Sequence, residues 1–281
     1  MRTLILLGMV AALTQSTARA DKVDDLLLQA KGLVEKGRLD EARAVVNKAI
    51  DTDPKNVKGY FFRAGLSELQ RKYGEALTDY DKILSLDPKI AEAYNLRGGT
   101  HFKLGHIKES IADFDRFIGL RPKEKNGHWM RGISLYYAGR YDDGRKQFEG
   151  YEKVDTNDVE NAVWHFLCMA RSAGVEKARK SLLKIGKDER IPMMEVYALF
   201  QGKAKPEDVL AAAKKVPKGS APGLLRQQLF YAHLYLGLYF EATGDPKRSL
   251  DHIQKAATDY VVGHYMGEVA RVHLAIRNKA K

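Results

Sequence analysis

The chain has 281 residues, with 47 Lys and Arg against 36 Asp and Glu, a formal charge of +11 and a single cysteine. That length leaves room for a sizeable core, and a lone Cys168 excludes any intramolecular disulfide. The basic residues are dispersed, with no block of five or more like charges. Such a balance argues for solubility and a mild preference for acidic partners, not for specific nucleic-acid binding.

Residues 1–20, MRTLILLGMVAALTQSTARA, place Arg2 before an apolar run from Leu4 to Leu13 and end on Ala18-Arg19-Ala20. This is the pattern of a secretory signal peptide, with an apolar stretch too short to anchor in a bilayer, and cleavage near Ala20 is expected. The mature protein is then exported, periplasmic or secreted, and has no transmembrane segment. Loss of Arg2 and Arg19 takes the charge from +11 to +9, and no cysteine follows the apolar run for acylation.

Residues 21–56 read as a divergent first hairpin of helices. Leu26, Ala30 and Leu33 share one face, Glu35 to Arg38 form the turn, and Ala42, Val46 and Ala49 follow at core spacing before Pro54. Residues 57–156 then repeat one unit three times, since Pro54, Pro88 and Pro122 stand 34 residues apart. Within that frame a small residue recurs at the eighth position (Ala64, Gly98, Gly132) and an aromatic at the twenty-fourth (Tyr80, Phe114, Phe148). The small residue lets two antiparallel helices approach, and the ring fills the space beside it. The proline ends the second helix by biasing its predecessor away from helical dihedrals.

Beyond Asp155 the pattern weakens. Residues 157–221 read as a degenerate unit and a hinge: an apolar helix from Val159 to Ser172, then VEKARKSLLKIG with Ala178, Leu182 and Ile185 at second-helix core positions. Two shorter helices, 191–200 and 205–215, and the loop KGSAPG complete it. Residues 222–262 hold another hairpin, with Leu236, Gly237, Phe240, the Gly244 turn, Ser249 and Ile253. Residues 263–281 end in a single helix that caps the open end of the stack. Cys168, inside the run AVWHFLCMA, reads as a buried helical thiol.

The 34-residue period with its small, aromatic and proline positions resembles the tetratricopeptide repeat. The resemblance implies an all-α fold, a right-handed α-solenoid of helix hairpins whose first helices line a concave groove. Carried onto this sequence, the groove positions include Lys58, Phe61, Asn95, Phe102, Asn126, Trp129, Tyr136 and Tyr137. Aromatics interleaved with Asn and Lys suit a peptide, because rings supply contact area at low entropy cost and Asn pairs with a backbone. The alternative is that Trp129 and Tyr136 pack against a neighbouring helix, the chain's own later segments included. The lysine and asparagine set with which some members clamp a C-terminal carboxylate is missing, as Phe61, Gly65 and Leu96 occupy its sites. From Asn126 onward the layout is also similar to the NlpI family of bacterial envelope lipoproteins, which implies a periplasmic adaptor and a homodimer.

Arg63, Arg97 and Arg131 recur at the seventh position, with Asp79 and Asp113 on the facing helices and Gln147 in the third unit. They read as internal ion pairs, leaving Arg131 without an acidic partner. No His-Glu-x-x-His, glycine-rich phosphate loop, serine elbow or Cys-x-x-Cys is present, and His128 and His233 fall on the bulky fourth position of the repeat. The sequence therefore predicts no enzyme, no cofactor and no metal, but a scaffold that holds a protein or peptide partner. The alternative is a binder of anionic polymer through the basic surface.

Overall fold

Every regular element among the described residues is a helix. The computed structural model describes the backbone of residues 2–279 and the side chains of residues 19–279. The expected signal peptide, residues 1–20, lies outside these fully described residues apart from Arg19 and Ala20. Among the described residues, no helix is long and apolar enough to cross a membrane. The chain divides into two units, Met1–Thr100 and His101–Lys281.

The first unit holds α1 (Arg2–Glu35), α2 (Leu39–Thr52), α3 (Val57–Leu69), α4 (Tyr73–Leu86) and most of α5 (Ala91–Lys103). Its core is built as the repeat dictates: Ala30, Ala42, Ala64 and Ala76 are fully buried and let the helices close on Tyr80 and Ile83. The Asn56 side chain caps α3 by accepting from the Lys58 amide at 3.0 Å, satisfying one of the amides a helix start leaves unpaired.

The hairpin turns repeat as strictly as the helices. Gly37, Arg71, Gly105 and Gly139 all take positive φ, at 72°, 58°, 77° and 74°. Arg71 alone among these four carries a Cβ there, a conformation that costs an L-residue roughly 1–2 kcal/mol. Arg71→Gly should stabilise the chain by about 0.5–1 kcal/mol after the greater freedom of unfolded glycine is subtracted. Urea denaturation of the two proteins side by side checks this; a destabilised variant would mean that the Arg71 side chain contributes more than its backbone costs.

Two of the recurrent arginines, Arg63 and Arg131, bond to both flanking second helices where the sequence suggested only one. Arg63 grips Asp79 at 2.7 Å and Asn47 at 2.9 Å, 16 residues to either side. Arg97 reaches back the same distance to Asp81 at 2.6 Å. Arg131 is not left without an acid: it reaches Asp115 at 2.6 Å as well as Gln147 at 3.2 Å. The repeat period places a donor between two acceptors, so one set of bonds fastens each hairpin internally and to the one before it.

The second unit continues with α6 (Ile107–Leu120), α7 (Trp129–Tyr137), α8 (Tyr141–Tyr151), α9 (Val159–Ala173) and α10 (Val175–Lys180). Then come α11 (Met193–Phe200), α12 (Pro206–Ala213), α13 (Leu224–Ala242), α14 (Pro246–Thr258) and α15 (Tyr265–Lys279). Close approach again depends on glycine: a Cβ on Gly132 would lie 2.5 Å from the Phe148 ring, and one on Gly237 would lie 2.6 Å from Ile253. α9 is the central element of this unit, with Val159 and every residue from Asn161 to Met169 buried.

One expected helix is cut short. α10 places Ala178 in the core as expected but stops at Lys180, so Leu182 and Ile185 pack against the core from outside any helix. Residues 182–189 form an extended strap instead. The Gly186 amide donates to the Thr156 carbonyl at 3.2 Å, the Lys187 amide to Asn157 Oδ1 at 3.1 Å, and Tyr197 Oη donates to the Leu183 carbonyl at 2.9 Å. These bonds satisfy the strap's polar backbone without a helix.

Candidate functional site

The aromatic groove expected from the repeat is largely filled by the chain itself. Phe102 is fully buried and stacks on Tyr265 with centroids 5.3 Å apart, and Tyr136 is buried edge-on to Trp164 at 5.4 Å. Tyr137 bonds through its hydroxyl to His273 Nδ1 at 2.9 Å. Helix α15 brings Tyr265 and His273 across Phe102 and Tyr137, and α9 brings Trp164 across Tyr136, so all three are packing residues. Asn126 is exposed beside Gly150. In the first unit Lys58 pairs with Asp24 at 2.7 Å, Phe61 packs edge-on to Tyr80 at 6.5 Å, and Asn95 donates to Glu92 at 3.3 Å. Of the expected set, Trp129 lines an aromatic cavity, while Asn126 lines a separate polar pocket with Lys125, Arg131 and Gln147.

That cavity, of about 280 Å³, lies in the second unit. Trp129 from α7, Trp164 from α9, Tyr231 from α13 and Tyr265 from α15 wall it, with His264 ahead of α15. The rings brace one another: Trp129 meets Tyr265 edge-on at 5.2 Å, and His264 stacks on Tyr231 at 5.7 Å. Asp158, Glu160 and Arg190 supply a polar wall.

The polar wall forms because α9 must begin there. Asp158 caps it, accepting from the Glu160 amide at 3.0 Å, while Asp188 on the strap accepts from the Val159 amide at 3.2 Å. Two carboxylates now meet at one helix start, and Glu160 makes a third. Arg190 binds all three, at 2.7 Å to Asp158, 2.6 Å to Glu160 and 2.6 Å to Asp188. Tyr235 Oη donates to the other Glu160 oxygen at 2.7 Å. Burial pushes the Glu160 carboxyl up to about 7 even against Arg190, and it raises Asp158 as well. Burial also acts on Asp188, but the bonds from Arg190 and the Val159 amide hold that carboxyl below its ordinary value.

Two residues of α9, Asn161 and Trp164, complete the lining. Trp164 Nε1 and Asn161 Oδ1 are buried without a hydrogen-bond partner in the protein, while Asn161 Nδ2 donates to the Phe148 carbonyl at 3.1 Å. Asn161 and Trp164 stand three apart and so share a helix face.

Sequence reasoning caught Trp129 through the repeat register but passed over Asp158, Glu160, Asn161, Arg190 and Tyr231. DTNDVEN, residues 155–161, is an acidic stretch of the sequence. Its partner, Arg190, lies 30 residues on in a stretch without periodicity.

Cys168 sits next to this site and is inert. It is fully buried, and burial drives its thiol pKa well up, the opposite of an activated nucleophile. An aromatic disulfide reagent should leave it unmodified in the folded protein and titrate one thiol in denaturant; rapid labelling of the native chain would contradict that placement.

Comparison with known proteins agrees with the architecture. Residues 27–89 and 70–125 match the tetratricopeptide repeat, and the later helix hairpins continue the same all-helical architecture. It is similar in structure to a tetratricopeptide repeat protein from Parabacteroides merdae, at 18% identity and TM-score 0.56, over 91% of this chain and 98% of that one. It is also similar to PilF of Pseudomonas aeruginosa, at 14% identity and TM-score 0.51, over 94% of this chain and 100% of that one. MamA matches at 17% identity and TM-score 0.54, over 66% of this chain and 94% of that one. No curated protein matches the chain in sequence. At such identities the likeness is one of fold, and the layout shared with the NlpI family stays an expectation of the sequence.

Proposed function

We propose that this protein is an exported, non-catalytic scaffold of the cell envelope that holds a segment of a partner protein, and that the contact is made at the aromatic cavity of the second unit. The observation that carries this reading is the cavity itself: Trp129, Phe148, Trp164, Tyr231 and Tyr265, rings from five different helices, converge on a concave, partly polar space beside the start of α9. Rings that brace one another are held at little entropic cost, which is what an anchor pocket for a partner's side chain needs.

The basic surface is a weaker basis for function. Arg63, Arg97, Arg131 and Arg190 are all engaged by acids or amides within the chain. An anionic polymer would meet mainly scattered lysines.

A pull-down with the chain from Ala20 onward tests the reading, run beside a Tyr231→Ala, His264→Ala variant of unchanged helicity and a Lys58→Ala, Phe61→Ala control. The expected result is a protein that, once identified and purified, binds the parent and the control directly and the cavity variant at least about tenfold more weakly. Equal binding by all three proteins, with release by modest salt, would point to surface charge and overturn the reading.

A further inference from the structure

Away from the aromatic cavity, the second unit has a concave pocket of about 330 Å³ whose charges do not balance. Arg171 from the last turn of α9, Glu241 from that of α13, and His273 and Arg277 from α15 line it, with Pro246 and Leu250 of α14 as an apolar wall. Two guanidinium groups thus share one carboxylate, and that carboxylate is already committed. Burial works against its charge, yet His273 and Arg277 hold the Glu241 carboxyl down to about 2, so it stays ionised. Its Oε1 accepts from Arg277 Nη2 at 2.5 Å and from Tyr136 Oη at 3.4 Å. Its Oε2 accepts from Arg277 Nε at 2.9 Å and has His273 Nε2 2.7 Å away.

Arg171 is left over. Its Nη1 is 3.9 Å from Glu241 Oε1, beyond hydrogen-bond reach, and among the described residues its side chain bonds only from Nε, to Tyr141 Oη at 3.3 Å. The guanidinium also lies over the Tyr141 ring, 5.7 Å from its centroid. Its face and Nε are therefore held in place, while both Nη groups, with four N–H donors between them, have no acceptor among the described residues. The side chain is 39% exposed, so a molecule from outside can reach it. The negative end of α9 explains a cation at this place but takes none of these N–H groups. We infer that the pocket binds an oxyanion, a carboxylate or a phosphate, with two of its oxygens on the Nη edge of Arg171. A flat guanidinium edge and a pair of oxygens match two bonds to two, and the anion offsets the positive charge that Glu241 leaves uncompensated. An ammonium would meet like charge, and a neutral amide would leave the surplus in place. The site is separate from the aromatic cavity, and the inference goes beyond the scaffold reading without resting on it.

The experiment modifies the arginines of the full chain with phenylglyoxal and maps the products by mass spectrometry. It is run with no addition, with inorganic phosphate, and with two peptides identical except for a central Glu or Gln. The expected result is that phosphate or the Glu peptide slows modification of Arg171 about tenfold at roughly ten times its Kd, while the Gln peptide does not. Arg38, exposed and paired with Glu41 in the first unit, should react at the same rate throughout. Calorimetry on the parent and on Arg171→Gln should then show affinity falling at least about tenfold in the variant. Arg171→Lys, which keeps the charge and loses the fork, should lie between them. Because protection is read on the parent chain, it decides the question even if neither variant folds. Protection by phosphate alone supports the site and makes its ligand a phosphate-bearing molecule; protection by the Glu peptide alone supports it and makes the ligand an acidic segment. Arg171 left unprotected by both, or protected no more than Arg38, would overturn the inference, as would equal affinity of the parent and a folded Arg171→Gln.

Discussion

Trp164→Ala is expected to destabilise the protein by about 3–5 kcal/mol, the usual cost of removing a large buried ring and leaving its volume unfilled. The ring is 1% exposed and sits where α7, α8 and α9 converge, within 5.4 Å of Tyr136, 6.2 Å of Tyr137 and 6.5 Å of Phe148 by centroid. All three neighbours are aromatic and held by their own helices, so the space has little means of collapsing. Trp129→Ala makes the informative comparison, because that ring is only partly buried and meets the cavity. It should cost less than half as much. Urea denaturation followed by circular dichroism measures both. A Trp164→Ala loss under about 1 kcal/mol would mean that α9 is not the centre of the unit.

The second large effect is expected at Arg190. Arg190→Met removes the one cation shared by Asp158, Glu160 and Asp188, whose side chains are 19%, 13% and 4% exposed. Taking one partner from a buried ion cluster strands the charges that remain. The loss should be about 3 kcal/mol, at the low end of the usual range because the guanidinium is itself 40% exposed. The effect should also be local, with amide exchange at Val159 and Gly186 accelerating as the strap leaves α9. Arg140→Met is the control: its pair with Asp143 is 46% and 44% exposed and should contribute under about 1 kcal/mol. Equal effects at Arg190 and Arg140 would remove the strap's ion cluster from the account.

What the sequence disclosed follows from the range of the forces involved. The 34-residue period is a local signal, and every contact it encodes is between neighbouring helices. It therefore reaches the Ala64 to Tyr80 and Gly132 to Phe148 packing, the positive-φ turns and the Arg63 to Asp79 bond. It places Arg131 but not its acid, Asp115, because a ladder that bonds backward as well as forward looks the same in one unit as a pair that only bonds forward. The groove is where local reasoning stops. Phe102, Tyr136 and Tyr137 stand at groove positions, yet α15, more than 120 residues later in the chain, covers Phe102 and Tyr137 with Tyr265 and His273, and Trp164 of α9 covers Tyr136. Leu182 and Ile185 keep the spacing of a core face, and the strap still forms, because Asp188 and Arg190 satisfy a helix start that propensity does not register. The cavity combines both difficulties: its rings come from five helices, and its polar wall depends on an arginine in an aperiodic segment.

The most direct test of the account is a titration of the full chain with its purified partner, recorded at once by tryptophan emission and by fluorescence polarisation of the labelled partner. Trp129 and Trp164, the chain's two tryptophans, both lie in the cavity, so occupation must reach them. If the cavity is the binding site, the two signals will follow a single saturation curve. Saturable polarisation with tryptophan emission unchanged, after correction for any tryptophan in the partner, would show that the partner is held elsewhere on the repeats and contradict the claim.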